Sequence, residues 1–328
     1  MLHEILTGQT KGLALLAMAL TLFVYFLPSV VAFARAHRGF LSILVLNAIA
    51  SPAQAVAAYF LAPGLLAFDP QNLASLGMTA ALVSFGPGWL ALLIWSLLPG
   101  EPDPRWLKAR DTKIFDIVAG LPLMLWFAYG ALQLRAILAL DGALIAGGTA
   151  SLFIWVQFFS LLAAGCFNLL LVYLLIVRDK PVAKSKGAVP RIFAVLGTFA
   201  GVGIIQLPVA QLGLGMQILA AILIGVGSLA SFLVLWRLGK SFSIMPEARK
   251  LVTGGPYAHA RHPLYAVEMI TVIGTALQFA APWSWVLALL VVTLLWIRSH
   301  FEEQVLADTY PEYAAYRAKT ARFIPGVI

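Results

Sequence analysis

Charge and cysteine are both scarce in this chain of 328 residues. Only 11% of the residues are charged, 61% are hydrophobic, and the mean hydropathy is +0.92. A soluble domain carries about 25% charged residues, so this composition excludes a water-soluble fold. The single cysteine, Cys166, excludes an intrachain disulfide and a cysteine-based metal site. The histidines lack the spacing of a zinc-binding helix, so we expect no metal.

Long hydrophobic runs fill most of the chain between its polar clusters. A membrane-spanning helix needs about 20 apolar residues. We therefore predict an all-α, polytopic transmembrane bundle of about nine spans, surrounded by lipid. The predicted spans are 12–34, 40–62, 74–98, 114–138, 150–177, 192–211, 214–236, 264–281 and 283–299.

The distribution of basic residues indicates how this bundle is oriented in the membrane. The formal net charge is +8, but lysine and arginine are distributed by loop and form no stripe or arm, so we expect no nucleic-acid partner. With nine spans, 20 of the 22 lysines and arginines fall on one side of the membrane. The positive-inside rule places that side in the cytoplasm. The amino terminus is then outside and the carboxyl terminus inside, whether the membrane is a bacterial inner membrane, the endoplasmic reticulum or the plasma membrane.

The chain changes character near residue 190. Residues 1–190 are apolar helices with short connectors and carry no catalytic motif. Residues 191–328 contain glycine-rich helices, a long polar loop and a polar tail. Two glycines of the seventh span, Gly225 and Gly227, have two possible roles: close helix packing, or room for a cofactor beside the helix. We expect the chemistry in the second region, on the cytoplasmic side.

The polar loop ahead of the eighth span offers an anion site. Pro263 is suited to the first position of a helix, where its missing N–H costs nothing. Arg261 and His262 then lie at the helix amino terminus, where free N–H groups favour a carboxylate or phosphate. Two carboxylates, Glu302 and Glu303, follow the ninth span. The short turn between the eighth and ninth spans returns them to the level of Arg261 and His262.

Three segments in this region resemble the isoprenylcysteine carboxyl methyltransferases and related membrane methyltransferases. They are LGKSFS, LVTGGPYAHARHPLY and FEEQVLADTYPEYAAYRAKTARFIP, which together cover about 238–325. The resemblance implies an S-adenosylmethionine site on the cytoplasmic face. It also implies a lipid-like or small hydrophobic acceptor, a carboxylate, thiol or amine, that arrives from the membrane.

Functional positions are carried over from that family residue by residue. The resemblance, with the glycine pair above, implies a cofactor site formed by Gly225, Gly227, Gly255, Tyr257, His262, Tyr265, Glu302, Glu303 and Arg322. Because methyl transfer is an in-line displacement, a carboxylate acceptor needs only a cation to orient it, and Arg261 is the candidate. A thiol or amine acceptor needs a base, for which His262 is suited.

Two positions depart from the family pattern. Val267 stands where the family commonly has glycine, which narrows the groove beside the helix. Glu268 lies about one turn inside the membrane, either paired with an arginine such as Arg261 or Arg298, or lining the acceptor pocket. We place Arg261, His262 and Glu268 among the catalytic candidates.

Two other functions fit parts of the same sequence. A membrane reductase of the sterol type would have a similar carboxyl-terminal layout and would use NADPH. A non-catalytic transporter or sensor would bind a metabolite in the polar loop. A transporter is expected to carry polar residues or broken helices at mid-membrane in both halves, whereas this chain concentrates its polarity at one face. The sequence does not indicate the oligomeric state.

Overall fold

A computed structural model describes residues 25, 27–48, 87–98, 102–105, 108, 112–187 and 189–326. The chain divides into two compact units, Met1–Asp116 and Ile117–Ile328. The division of function predicted at residue 190 does not correspond to this boundary between compact units, and it stays a prediction.

The first unit includes the helices α1 (Leu27–Ala34) and α2 (Pro87–Leu97), and residues 40–48 are also helical. Asn47 anchors the start of this unit, because its side-chain amide donates to the Tyr25 carbonyl oxygen at 3.0 Å and the Tyr25 hydroxyl donates to the Asn47 carbonyl oxygen. Arg35 donates to the Leu97 carbonyl oxygen at 2.9 Å and so connects α1 to the end of α2. The predicted spans 12–34, 40–62 and 74–98 lie largely outside the described residues.

The second unit is mostly helical. Its helices are α3 (Lys113–Ala146, which begins just before the unit boundary), α4 (Leu152–Val177), α5 (Val189–Phe199), α6 (Leu214–Leu238), α7 (Pro263–Gln278), α8 (Trp283–Thr309) and α9 (Tyr313–Lys319). A 3₁₀ segment, Ala200–Gln206, follows α5. Two short strands, β1 (Ala183–Lys184) and β2 (Glu247–Ala248), pair antiparallel. Through this pairing, the connector after α4 contacts the polar loop after α6.

Five helical segments among the described residues are long and apolar enough to cross a membrane. They are Lys113–Ala146, Leu152–Val177, Val189–Gln206, Leu214–Ser241 and Trp283–Thr309. Each matches a predicted span, which confirms a helical membrane protein. The predicted span 264–281 corresponds to α7, which has only 16 residues. The total of nine spans stays a prediction.

Helix α6 packs closely against α4 and α7 through glycines. A side-chain carbon added at Gly225 would lie 2.5 Å from the Ser160 hydroxyl on α4. One added at Gly227 would lie 2.8 Å from the Thr271 backbone nitrogen on α7, and one at Gly274 would lie 2.9 Å from the Ala220 carbonyl oxygen. Small residues let helix backbones approach in lipid. These contacts fix α7, the helix that begins at the polar loop, against the rest of the unit.

Candidate active site

The start of α7 is held by the carboxyl-terminal tail. Pro263 is the first residue of α7, as predicted. The Arg261 backbone N–H donates to the Ala321 carbonyl oxygen at 2.8 Å, and the His262 N–H donates to the Arg322 carbonyl oxygen at 2.9 Å. The tail therefore fixes the Arg-His motif in the place where α8 brings the two glutamates.

Glu303 lies at the centre of a cluster of cations and is only 3% exposed. One carboxylate oxygen accepts from Arg261 Nε at 2.9 Å and lies 3.1 Å from His262 Nε2, and the other accepts from Arg322 Nη2 at 3.1 Å. Arg317 Nε lies 3.7 Å from the same carboxylate. We call Glu303 and these four residues the cation cluster. Burying a charge is costly unless it is paired, so this cluster ties α7, α8 and the tail together.

Glu302 points in a different direction from Glu303. Its Oε1 accepts from the Tyr265 hydroxyl at 2.5 Å and from Arg298 Nε at 3.1 Å, while His262 Nδ1 lies 3.7 Å from its other oxygen. The Arg298 guanidinium also lies over the Tyr265 ring, 5.2 Å from its centroid. Consecutive residues on a helix are about 100° apart, which explains why only Glu302 faces the cavity described next.

A polar cavity opens between the loop after α6, the start of α7 and the end of α8. Its lining includes five of the predicted site residues, namely Tyr257, Arg261, His262, Tyr265 and Glu302. Glu247, Arg249 and Lys250 of the polar loop also line it. Glu303 and Arg322 are not part of the lining. They stand behind it and hold Arg261 and His262 in position.

A second, inner cavity adjoins the polar cavity and has a volume of about 280 Å³, against about 110 Å³ for the first. Aromatic and aliphatic side chains from α3, α4, α7, α8 and the loop after α6 form most of its lining, among them Phe127, Phe167, Leu171, Val272, Val291 and Leu295. Glu268 lies in the lining, together with Ser231 and Thr271. Both cavities are bounded by Phe242, Leu264, Tyr265 and Arg298. A cavity lined by many ionisable side chains and a second, more apolar cavity thus share one wall.

Two tyrosine hydroxyls, those of Tyr310 and Tyr316, hold the polar loop over the site. The Tyr316 hydroxyl donates to the Tyr257 carbonyl oxygen at 2.6 Å, and the Tyr310 hydroxyl donates to the Arg249 carbonyl oxygen. Burial, with the charge of Glu302 as a second cause, raises the pKa of the Tyr257 phenol well above its usual range. Burial also raises the pKa of Tyr313, helped by Glu303. Both phenols therefore stay neutral at physiological pH.

Replacement of Tyr316 by phenylalanine tests whether this hydrogen bond fixes the loop. We expect Tyr316→Phe to lower the free energy of unfolding by about 1 kcal/mol, the usual net contribution of such a bond. Tyr173→Phe is the matched control, because Tyr173 is 54% exposed on α4. Equilibrium unfolding in mixed micelles measures both variants. Equal effects of the two changes would show that the Tyr316 bond does not stabilise the fold.

The three glycines among the predicted cofactor residues face different neighbours. Gly255 has φ +65°, and a side-chain carbon there would lie 3.0 Å from Arg237 Nε, so this position needs glycine for both its backbone angle and the close arginine. Gly225 and Gly227 face Ser160 and Thr271 of neighbouring helices. Helix packing accounts for these two glycines, and the proposed site does not include them.

Arg298, Ser231 and Thr271 are site residues that sequence reasoning did not select. Arg298 lies in the wall between the cavities, and it also donates to the Ser243 carbonyl oxygen at 3.4 Å. A charged residue within a membrane span is a functional candidate by default, so its position inside the predicted ninth span was an available signal. Ser231 and Thr271 give no such signal, because hydroxyl residues are common in membrane helices.

Comparison with protein families supports the class of the carboxyl-terminal region. Residues 216–313 match the family model described as phospholipid methyltransferase. The matched segment contains α6, α7, α8 and most of the residues of both cavities. The match agrees with the resemblance to the membrane methyltransferases of the isoprenylcysteine carboxyl methyltransferase type, and residues 216–313 are similar to that group.

Two curated relatives match a similar length of chain. A cobalt-zinc-cadmium resistance protein of Cupriavidus metallidurans is 36% identical over 76 residues, which is 23% of this chain and 35% of the relative. A nickel-cobalt-cadmium resistance protein of Alcaligenes xylosoxydans xylosoxydans is 30% identical over 80 residues, 24% of this chain and 38% of the relative. The chain thus matches little more than a third of the length of each relative.

Proposed function

We propose that this protein is an S-adenosylmethionine-dependent methyltransferase that acts on a lipid-like or small hydrophobic acceptor at the cytoplasmic membrane face. The side follows from the 20 of 22 lysines and arginines that a nine-span topology places in cytoplasmic loops. The same topology puts the amino terminus outside. The active site then lies where a soluble cofactor enters from the cytoplasm and the acceptor enters from lipid.

One observation carries the proposal: the polar and the inner cavity meet at Tyr265 and Arg298, inside the segment that matches the methyltransferase family. A charged, water-soluble cofactor requires ionisable partners, and an apolar acceptor requires a mainly apolar lining. Transfer also requires the two reactants to be aligned without intervening water. Two cavities that share a wall satisfy both requirements.

The polar cavity has the donor and acceptor groups that S-adenosylmethionine requires. Arg261 uses Nε for Glu303 and Nη1 for the carbonyl oxygens of Arg317 and Thr320, which leaves Nη2 for the cofactor carboxylate. Glu302 can accept from the ribose hydroxyls or the amino group. The cofactor, when bound, supplies an electrophilic methyl group on a sulfonium. In this assignment Arg261 binds the cofactor instead of orienting the acceptor.

His262 has a positioning role in the proposed mechanism. Its ring lies 5.4 Å from the Tyr265 ring at an angle of 2°, and its two nitrogens face Glu303 and Glu302. The imidazole therefore connects the cation cluster to the wall between the cavities. It holds the Tyr265 and Glu302 side chains in the orientation that the cofactor needs.

A thermal-shift comparison on the purified full chain tests the class of reaction. We expect S-adenosylhomocysteine to raise the unfolding temperature and NADPH to leave it unchanged. Stabilisation by NADPH alone would identify a reductase and overturn the proposal. Absence of stabilisation by either compound would favour a metabolite transporter or sensor. Mass spectrometry of membranes incubated with isotopically labelled S-adenosylmethionine then identifies the product.

Substitution of Glu302 tests the assignment of the polar cavity. We expect Glu302→Gln to weaken S-adenosylhomocysteine binding by about tenfold or more, because a hydrogen bond to a charged group contributes about 1.5–3 kcal/mol. Glu312→Gln is the matched control, since Glu312 is exposed at the start of α9. Isothermal titration calorimetry gives both affinities. Unchanged binding by Glu302→Gln would remove Glu302 from the cofactor site.

A further inference from the structure

The inner cavity contains a carboxylate that no other residue neutralises by contact. Glu268 lines this cavity from α7 and forms no hydrogen bond or ion pair with any residue that the structure describes. Arg298, the one arginine in the lining, is already engaged with Glu302 and the Ser243 carbonyl oxygen. An ionisable group at membrane depth is expensive, and its presence indicates function by default.

Two hydroxyl residues that line the same cavity also lack hydrogen-bond partners among the described residues. Ser231 is 1% exposed, and its Oγ is buried without a hydrogen bond. The Thr271 hydroxyl, three residues along α7 from Glu268, is in the same state. Buried polar groups are nearly always hydrogen-bonded. Three polar side chains in the lining of this mainly apolar cavity thus lack a partner among the described residues, and they indicate a bound polar group.

The charge of this cluster restricts the chemistry of that group. A carboxylate acceptor would bring a second negative charge beside Glu268, at a depth where like charges repel strongly. An acceptor that carries a proton on its reactive atom would instead donate to Glu268. The geometry therefore favours an amine, hydroxyl or thiol over a carboxylate.

We propose, on the basis of the methyltransferase function above, that the acceptor is an amphiphile with a proton-bearing nucleophile and that Glu268 takes this proton. The acceptor atom forms a bond to the methyl carbon, and the carbon–sulfur bond breaks with its electron pair passing to sulfur. The proton of the acceptor atom moves to a Glu268 carboxylate oxygen. The products are the methylated amphiphile and S-adenosylhomocysteine. Glu268 then releases this proton to water when the product leaves.

Four amphiphiles with one chain length test this assignment: dodecylamine, dodecanol, dodecanethiol and dodecanoate. Each is incubated with the full chain in detergent and labelled S-adenosylmethionine, and the products are identified by mass spectrometry. We expect methylation of at least one of the first three and none of dodecanoate. Methylation of dodecanoate alone, or of none of the four by a protein that binds S-adenosylhomocysteine, would overturn the acceptor class. A protein that fails to bind S-adenosylhomocysteine would instead refute the proposed function.

Glu268→Gln tests the role of the carboxylate with the same substrates. We expect the rate to fall by about a hundredfold or more, the usual contribution of a positioned acid or base. Binding of S-adenosylhomocysteine should change less than about twofold, because Glu268 does not line the polar cavity. Full activity in Glu268→Gln would overturn the proposal. Glu312→Gln is again the control and should keep the wild-type rate.

A binding measurement separates this role from a structural one. The change in unfolding temperature on binding is measured without cofactor for the best substrate and for its methylated product. The proteins compared are wild type, Glu268→Gln and Glu268→Asp. We expect Glu268→Gln to weaken substrate binding and Glu268→Asp to retain part of both binding and rate. If all three proteins bind the substrate equally, Glu268 does not contact the acceptor and the proposal fails.

Discussion

Glu303→Gln is expected to destabilise the protein by about 3 kcal/mol or more. The substitution leaves Arg261, His262 and Arg322 around a neutral amide that can offer a single acceptor oxygen. Removal of one partner from a buried ion pair costs about 3–5 kcal/mol, because the remaining charges stay buried without compensation. Here the side chains of Arg261 and Arg322 are largely buried as well. The start of α7 and the carboxyl-terminal tail should separate, with loss of methyl transfer.

Equilibrium unfolding in mixed micelles and S-adenosylhomocysteine titration measure this effect. Glu303→Asp is the informative second variant, since it keeps the charge and shortens the side chain. We expect it to recover part of the stability. Glu312→Gln should stay within about 0.5 kcal/mol of wild type, as is usual for exposed substitutions. A Glu303→Gln protein as stable as wild type would show that the cation cluster does not hold the site together.

Gly227→Ala is expected to lower stability by about 1–3 kcal/mol, the usual cost of overpacking. The new methyl group would lie 2.8 Å from the Thr271 backbone nitrogen, and backbone cannot move without shifting α7. Because α7 also carries Tyr265 and Glu268, the rate of methyl transfer should fall together with stability. Unfolding and rate measurements on the same preparation test both effects.

Gly215→Ala provides the matched control on the same helix. No atom lies within 4 Å of a side-chain carbon at Gly215. Alanine is favoured over glycine inside helices by about 0.5–1 kcal/mol, so this variant should be as stable as wild type or slightly more stable. The two substitutions also distinguish the roles considered for Gly227. Reduced cofactor affinity at unchanged stability would favour a cofactor-binding role over packing.

Hydrophobic length and charge were sufficient to predict most described membrane helices. The spans 114–138, 150–177, 192–211, 214–236 and 283–299 each correspond to a described segment long enough to cross a membrane. The predicted end of span 264–281 was less accurate, because α7 ends at Gln278 after 16 residues. A count of apolar residues does not reveal where backbone hydrogen bonding ends, since the helix boundary depends on the partners of the last residues.

The sequence also predicted which residues would meet at the site. Pro263 at the start of α7 and the turn after it brought Arg261 and His262 to the level of Glu302 and Glu303. The sequence left open which glutamate faces the cofactor cavity. Which of two consecutive helix residues faces a cavity depends on how the helix packs. Here Arg261, His262 and Arg322 surround Glu303, while Glu302 faces the cavity.

The sequence by itself determined that this is a helical membrane protein with a methyltransferase-like carboxyl-terminal region, because apolar length, the position of Pro263 and three local segments are properties of nearby residues. Tertiary structure alone decided that Gly225 and Gly227 contact neighbouring helices, that Arg298 lies between two cavities, and that Glu268 lines the inner cavity with Ser231 and Thr271. These residues are brought together from helices far apart in the chain. Their environment depends on how the helices pack, which no single segment of the sequence predicts.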